Sequence, residues 1–139
     1  MQIREFDLEL DYPSVRKLWQ EAGPGVQLSP SDEPEEIERK LGRDPDLFLV
    51  LEERGEIIGT VIGGYDGRRG IVYHLAIQPE RRGEGLGTAL MIEIEERLRS
   101  KGCYKYYLLV RKELDQVLGF YESLGCELMD LHVLGKVLR

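Results

Sequence analysis

Apolar residues gather into short stretches in the first half of the chain and into one long helical stripe in the second. Leu47-Phe48-Leu49-Val50-Leu51-Glu52 and Glu56-Ile57-Ile58-Gly59-Thr60-Val61-Ile62-Gly63-Gly64-Tyr65 read as strands joined at Arg54-Gly55. Ile71-Val72-Tyr73-His74-Leu75-Ala76-Ile77 follows the Gly67-to-Gly70 turn as another. Connections this short predict an antiparallel meander. Ile3-Arg4-Glu5-Phe6 precedes it as a short opening strand. Asp11-Tyr12-Pro13-Ser14 then begins a helix with Val15, Leu18 and Trp19 on one face, ended by Gly23-Pro24-Gly25. Ser29-Pro30-Ser31-Asp32 opens a second, acidic helix through Glu35 to Leu41. The irregular stretch between these two helices is where variable recognition is expected, as on loops of a rigid scaffold.

From about Leu86 to Lys101, Leu86, Leu90, Ile94 and Leu98 fall on one side of a helix. Glu93 with Arg97 and Glu95 with Arg99 support its wet side, and Gly102 terminates it. Tyr104 to Val110 reads as a strand, and a right-handed crossover makes it parallel to the strand before the helix. Asp115 caps a short helix that Gly125 stops, and residues 127–137 supply a closing strand. The pattern predicts one α/β (α+β) domain over residues 1–139, with no linker, low-complexity segment or repeat.

Composition narrows the picture. With 139 residues, 42% of them hydrophobic, one core is expected. Such a chain buries around two-thirds of its unfolded surface. No run approaches the roughly eighteen apolar residues that cross a bilayer, and Met1 to Asp7 lacks a signal peptide's basic start and apolar centre. A cytoplasmic protein with no membrane partner is expected. The formal charge of −7 argues against a nucleic-acid partner, which calls for a basic footprint. Cys103 and Cys126 have no metal-ligand spacing and read as small buried thiols. Leu128, Leu131, Val133 and Leu134 suit either the core or a second subunit, so the oligomeric state stays open.

The candidate chemistry lies in Arg81-Arg82-Gly83-Glu84-Gly85-Leu86-Gly87, which joins a strand to the long helix. Alternate glycines leave Cβ atoms out of a loop whose backbone can close around a ligand. Unpaired N–H groups and the positive end of the helix dipole suit a pyrophosphate there. The loop is not a Walker motif, because Thr88 follows Gly87 with no lysine. Nor is it a dinucleotide fingerprint, because the third glycine spacing is wrong and residues 102–109 hold no acidic residue. A tight turn with no ligand is the alternative, and the cations of Arg81 and Arg82 weigh against it.

Here the chain resembles the GCN5-related N-acetyltransferase (GNAT) superfamily. Arg82, Gly85 and Gly87 match that family's Arg/Gln-x-x-Gly-x-Gly/Ala loop. Leu75-Ala76-Ile77-Gln78-Pro79 matches the preceding Leu-x-Val-x-Pro strand. Phe120-Tyr121-Glu122-Ser123-Leu124-Gly125 matches the later aromatic-Tyr helix. The resemblance implies a mixed, mostly antiparallel twisted sheet of six to seven strands, with a central splayed parallel pair and about four flanking helices. It implies acetyl transfer from acetyl-CoA, without a metal, to a primary amine of a small molecule or a protein N-terminus or lysine. The amine would attack directly in a ternary complex.

By the same resemblance, backbone groups of Arg82, Gly83, Glu84, Gly85, Leu86, Gly87 and Thr88 would hold the pyrophosphate. A bulge would free the backbone of Leu75, Ala76 and Ile77 for pantetheine, and one of their N–H groups would polarise the thioester carbonyl. Tyr121 is the candidate acid for the departing thiolate. His74 is the candidate base, acting directly or through water; simple alternation places Tyr73 on the opposite strand face. Glu113 and Asp115 read as surface or capping groups, and His132 as non-catalytic. Leu114 stands where many members carry Asn, so an Asn-dependent contact does not carry over. The competing function is a non-catalytic acyl-CoA-binding or regulatory module.

Overall fold

The meander is the frame of the protein. In a computed structural model that describes residues 1–139, five strands form one sheet in chain order. They are β1 (Gln2–Glu5), β2 (Phe48–Glu53), β3 (Glu56–Tyr65), β4 (Gly70–Ile77) and β5 (Tyr106–Tyr107). The first three pairings are antiparallel and β4–β5 is parallel. Arg54 and Gly55 close the β2–β3 hairpin with φ of 52° and 78°. Two consecutive left-handed residues give the turn whose twist suits paired strands. The chain also has four helices: α1 (Leu8–Glu21), α2 (Pro34–Arg43), α3 (Leu86–Ser100) and α4 (Leu118–Ser123).

The chain forms two compact units, Met1–Leu109 and Val110–Arg139. In the first, Val15, Leu18 and Trp19 of α1 and Ile37 of α2 join Phe6, Phe48, Val50, Ile62 and Ala76 in one core. Phe6 stacks on Phe48 with ring centroids 4.0 Å apart. α3 buries Leu86, Leu90, Met91, Ile94 and Leu98. A Cβ on Gly59 would come within 3.0 Å of Leu90 Cδ1, and one on Gly63 within 3.0 Å of Ile94 Cγ1. These glycines let α3 lie directly on β3, while Ile62 turns to the α1 side by strand alternation.

Several sequence expectations are corrected. α1 starts at Leu8 rather than near Asp11, because the Asp7 carboxylate accepts from the Leu10 N–H at 2.9 Å. Asp11 sits inside that helix as a buried partner of Arg4, 2.7 Å away. Ser29 caps only a single turn, Pro30–Asp32, and α2 begins separately at Pro34. The strand expected over 104–110 shrinks to two residues, and the parallel pair lies at the sheet edge rather than its centre.

In the second unit a turn at Lys112–Val117 leads into α4, and Gly125 ends it at φ +91°. Residues 127–137 form no strand, so the sheet has five strands rather than six or seven. Leu128, Leu131, Val133 and Leu134 are exposed there. Alternating apolar residues supply propensity, but a strand exists only through a ladder partner.

Candidate functional site

The site begins with a miscount between β3 and β4. From Thr60↔Ala76 to Ile62↔Tyr73, β3 advances two residues and β4 three. The extra residue is a β-bulge, and His74 within it takes a left-handed φ of 53°. A non-glycine residue there carries roughly 1–2 kcal/mol of strain, which the surrounding packing must hold. The bulge also overturns simple alternation. Tyr73 packs on the α1 core and His74 touches Trp19 of that same core, so both lie on one face.

His74 is closely confined. Its ring meets Trp19 edge-on at 5.0 Å and Tyr73 at 5.4 Å. Its Nε2 lies 2.8 Å from Oδ1 of the buried Asp32. Asp32 Oδ2 accepts from the Ser29 N–H at 3.0 Å, and the Asp32 carbonyl accepts from the Tyr12 hydroxyl at 2.8 Å. Burial pushes the Tyr73 phenol up to about 12, with the Asp32 and Asp44 charges adding to the effect. The Trp19 indole N–H is buried without a hydrogen-bond partner. A cleft of about 380 Å³ opens near the start of β4, lined in part by Lys40, Arg43, Arg69, Tyr73 and Tyr107.

Beyond the bulge, β4 has a free outer edge. It pairs with β5 only at Gly70↔Tyr106 and Ile71↔Tyr107. Ala76 and Ile77 pair with Thr60 and Gly59 of β3 on one side, Leu75 lies within the bulge, and none of the three pairs with a strand on the other side. Ala76 is buried, while Leu75 and Ile77 are partly so. The strand then runs through the Pro79–Arg81 turn into the glycine loop.

That loop meets α3 with its amides available. Gly83 and Gly85 have φ of 82° and 80°, and Gly85 forms the N-cap with no side-chain cap. The first helical amide with a backbone partner is that of Ala89, which donates to the Gly85 carbonyl at 3.1 Å. Leu86, Gly87 and Thr88 therefore present their N–H groups at the positive end of the helix. The two arginines differ in role. Arg81 bridges Glu84, at 2.9 Å, and Glu53, so it ties the loop to β2 and offsets the acid inside the loop. Arg82 donates to the Ala22 carbonyl at 3.1 Å and keeps its charge uncompensated by a carboxylate. The residues fit an anionic ligand lying along β4 and onto α3.

Tyr121 belongs to the second unit. It lies in α4, partly buried, with Phe120 edge-on at 5.0 Å. Burial, and then the charge of Cys126 when ionised, push its phenol further up from a value already well above neutral pH. Leu114 is buried in a non-helical kink of the preceding turn. Glu113 pairs with Arg111 at 2.5 Å on the surface. His132 is exposed in the strandless segment. No cluster of His, Cys, Asp or Glu suits a metal ion, and no helix is long and apolar enough to cross a membrane.

Sequence reasoning missed Asp32 and Trp19 as neighbours of His74. Ser29-Pro30-Ser31-Asp32 signalled a cap, and it is one: the Ser29 hydroxyl and the Asp32 carboxylate form a capping box. Nothing local signals that the same carboxylate reaches a strand 42 residues away.

Comparison with known proteins identifies the family. Residues 12–126 match the model of the acetyltransferase (GNAT) family. An acetyltransferase from Pectobacterium atrosepticum is 47% identical over 137 residues, covering 98% of this chain and 94% of that protein. An acetyltransferase from Yersinia enterocolitica is 45% identical over the same shares of the two chains. The PaiA N-acetyltransferase of Thermoplasma acidophilum, solved with coenzyme A, superposes with a TM-score of 0.81. At 19% identity, over 94% of this chain and 92% of that one, it speaks for the fold.

Proposed function

The chain belongs to the acetyltransferase (GNAT) family, and on that premise we propose that it transfers an acetyl group from acetyl-CoA to a primary amine. The observation that carries this reading is the free outer edge of β4 beyond Ile71, which leads directly into the uncapped start of α3. An extended pantetheine suits the first feature and a pyrophosphate the second.

In this reading the amides from Gly83 to Thr88, with Arg82, hold the pyrophosphate. The backbone of Leu75, Ala76 and Ile77 pairs with pantetheine, and one N–H there steadies the oxyanion developing on the thioester carbonyl. His74 takes the proton from the attacking ammonium, directly or through water. The amine nitrogen then forms its bond to the acetyl carbon as the carbon–sulfur bond breaks, and it sheds its second proton to solvent to give the neutral amide. Tyr121, a neutral phenol, gives its proton to the departing sulfur and recovers one from solvent. The acceptor is an amine of a small molecule or of a protein N-terminus or lysine.

The test is calorimetric titration of the full chain with acetyl-CoA, with CoA and NAD as comparisons. A screen for CoA-thiol release then follows, over peptide α-amines, lysine side chains and polyamines. Selective acetyl-CoA binding with thiol release supports the reading. Tight binding without turnover on any amine points to an acyl-CoA-binding module, and no binding removes both.

A further inference from the structure

We propose that Asp32 is the positioning residue of His74, holding the imidazole through Nε2 so that Nδ1 is the nitrogen that takes a proton; this rests on the acetyl-transfer reading above. The argument begins with donors and acceptors. A carboxylate only accepts, so the 2.8 Å contact to Asp32 Oδ1 requires the proton on Nε2. In the neutral imidazole the lone pair is then on Nδ1.

The carboxylate is itself fixed. Its side chain is 6% exposed, and its other oxygen accepts from the Ser29 N–H at 3.0 Å. Asp32 therefore cannot rotate away without giving up its hydrogen bond to the Ser29 N–H. The ring has little freedom either. Trp19 meets it edge-on from α1, Tyr73 flanks it on its own strand, and the bulge sets its backbone at φ +53°.

The charged groups around this pair are few. Tyr73 faces the imidazole directly, and Asp32 approaches it from the Pro30–Asp32 turn. On the far side of Asp32, Tyr12 donates to its carbonyl and accepts from Arg16, which lies 3.6 Å from Glu33. No other cation is placed to compete for the Asp32 oxygens, so the pair has one arrangement. A purely mechanical latch between turn and bulge would look similar at rest. It would not require one tautomer for turnover.

The experiment reads the tautomer directly. The chain has two histidines, His74 and His132, so His132→Gln leaves one imidazole signal. Long-range ¹H–¹⁵N spectra of the full chain, recorded where the ring is neutral, should show the proton on Nε2. Asp32→Asn keeps an oxygen for the Ser29 N–H but offers an amide donor to Nε2, which should move the proton to Nδ1. With an amine that supports thiol release, Asp32→Asn should lower kcat at least tenfold while KM for acetyl-CoA stays within twofold. Ser31→Ala removes a hydroxyl of the same turn while keeping the Ser29 N–H and the Asp32 carboxylate, and should leave both tautomer and kcat unchanged.

A proton on Nδ1 in the wild-type protein overturns the proposal, and this reading stands even if Asp32→Asn fails to fold. Wild-type kcat in a folded Asp32→Asn variant also overturns it. An Nε2 proton with no thiol release on any amine sinks the acetyl-transfer reading instead, and the catalytic role of Asp32 with it.

Discussion

Gly85→Ala separates a ligand-binding loop from an ordinary turn, because the structure assigns its two costs to different places. Gly85 has φ of 80°, and a Cβ there meets nothing within 4 Å. The folded protein therefore suffers backbone strain and no clash. A left-handed alanine costs roughly 1–2 kcal/mol, offset by about 0.4–1 kcal/mol because alanine stiffens the unfolded chain. A net loss of about 1 kcal/mol lowers Tm by about 3–5 °C in a chain of this size. Gly85 is also the N-cap of α3, so the new methyl group stands in open space next to the free amides. A pyrophosphate seated there must move away from them. Losing even one charge-assisted contact weakens acetyl-CoA binding at least tenfold, about 1.4 kcal/mol. Thermal denaturation and calorimetric titration of the same preparation measure the two effects separately. A small fall in Tm with unchanged acetyl-CoA affinity would refute the cradle, since a methyl group there would then be invisible to the ligand.

Further outcomes follow from other positions. Tyr121→Phe keeps the ring of α4 and removes the proton, so kcat should fall at least tenfold with KM for acetyl-CoA nearly unchanged; equal turnover would dismiss Tyr121 as the acid. Tyr73, with an ordinary value near 10, is pushed up to about 12. The unfolded chain thus loses this proton first, and the stability it contributes is present below pH 10 and lost as pH rises towards 12. Two units correspond to about 2–3 kcal/mol. Urea unfolding at pH 8 and pH 11.5 should show that loss in the wild type and much less of it in Tyr73→Phe. Gly63→Ala forces a Cβ to within 3.0 Å of Ile94 Cγ1 and should destabilise by about 1–3 kcal/mol, read from urea midpoints, without altering the loop.

Much of the frame was legible because its signals are local. The apolar stretches became β2, β3 and β4, and the stripe of Leu86, Leu90, Ile94 and Leu98 became the buried side of α3. The glycine loop was legible for the same reason, since left-handed φ at Gly83 and Gly85 is a demand that glycine meets by itself. Where local signals compete, reading failed. Pro13 suggested a helix start, but the Asp7 cap drew the start back to Leu8.

The sequence by itself determined which segments favour strand or helix and where the chain turns, and it singled out the start of α3 as the candidate anion site. Only the tertiary structure decided what those segments pair with. The stretch expected as a strand over 127–137 lacks a ladder partner, and that over 104–110 finds one for only two residues. The bulge at His74 is likewise a matter of register between two strands, which no run of residues in β4 encodes alone. Asp32 reaches His74 across 42 positions because the α1–α2 segment packs over β4. Propensity acts between neighbours in the chain, whereas the contact between His74 and Asp32 is set by long-range packing.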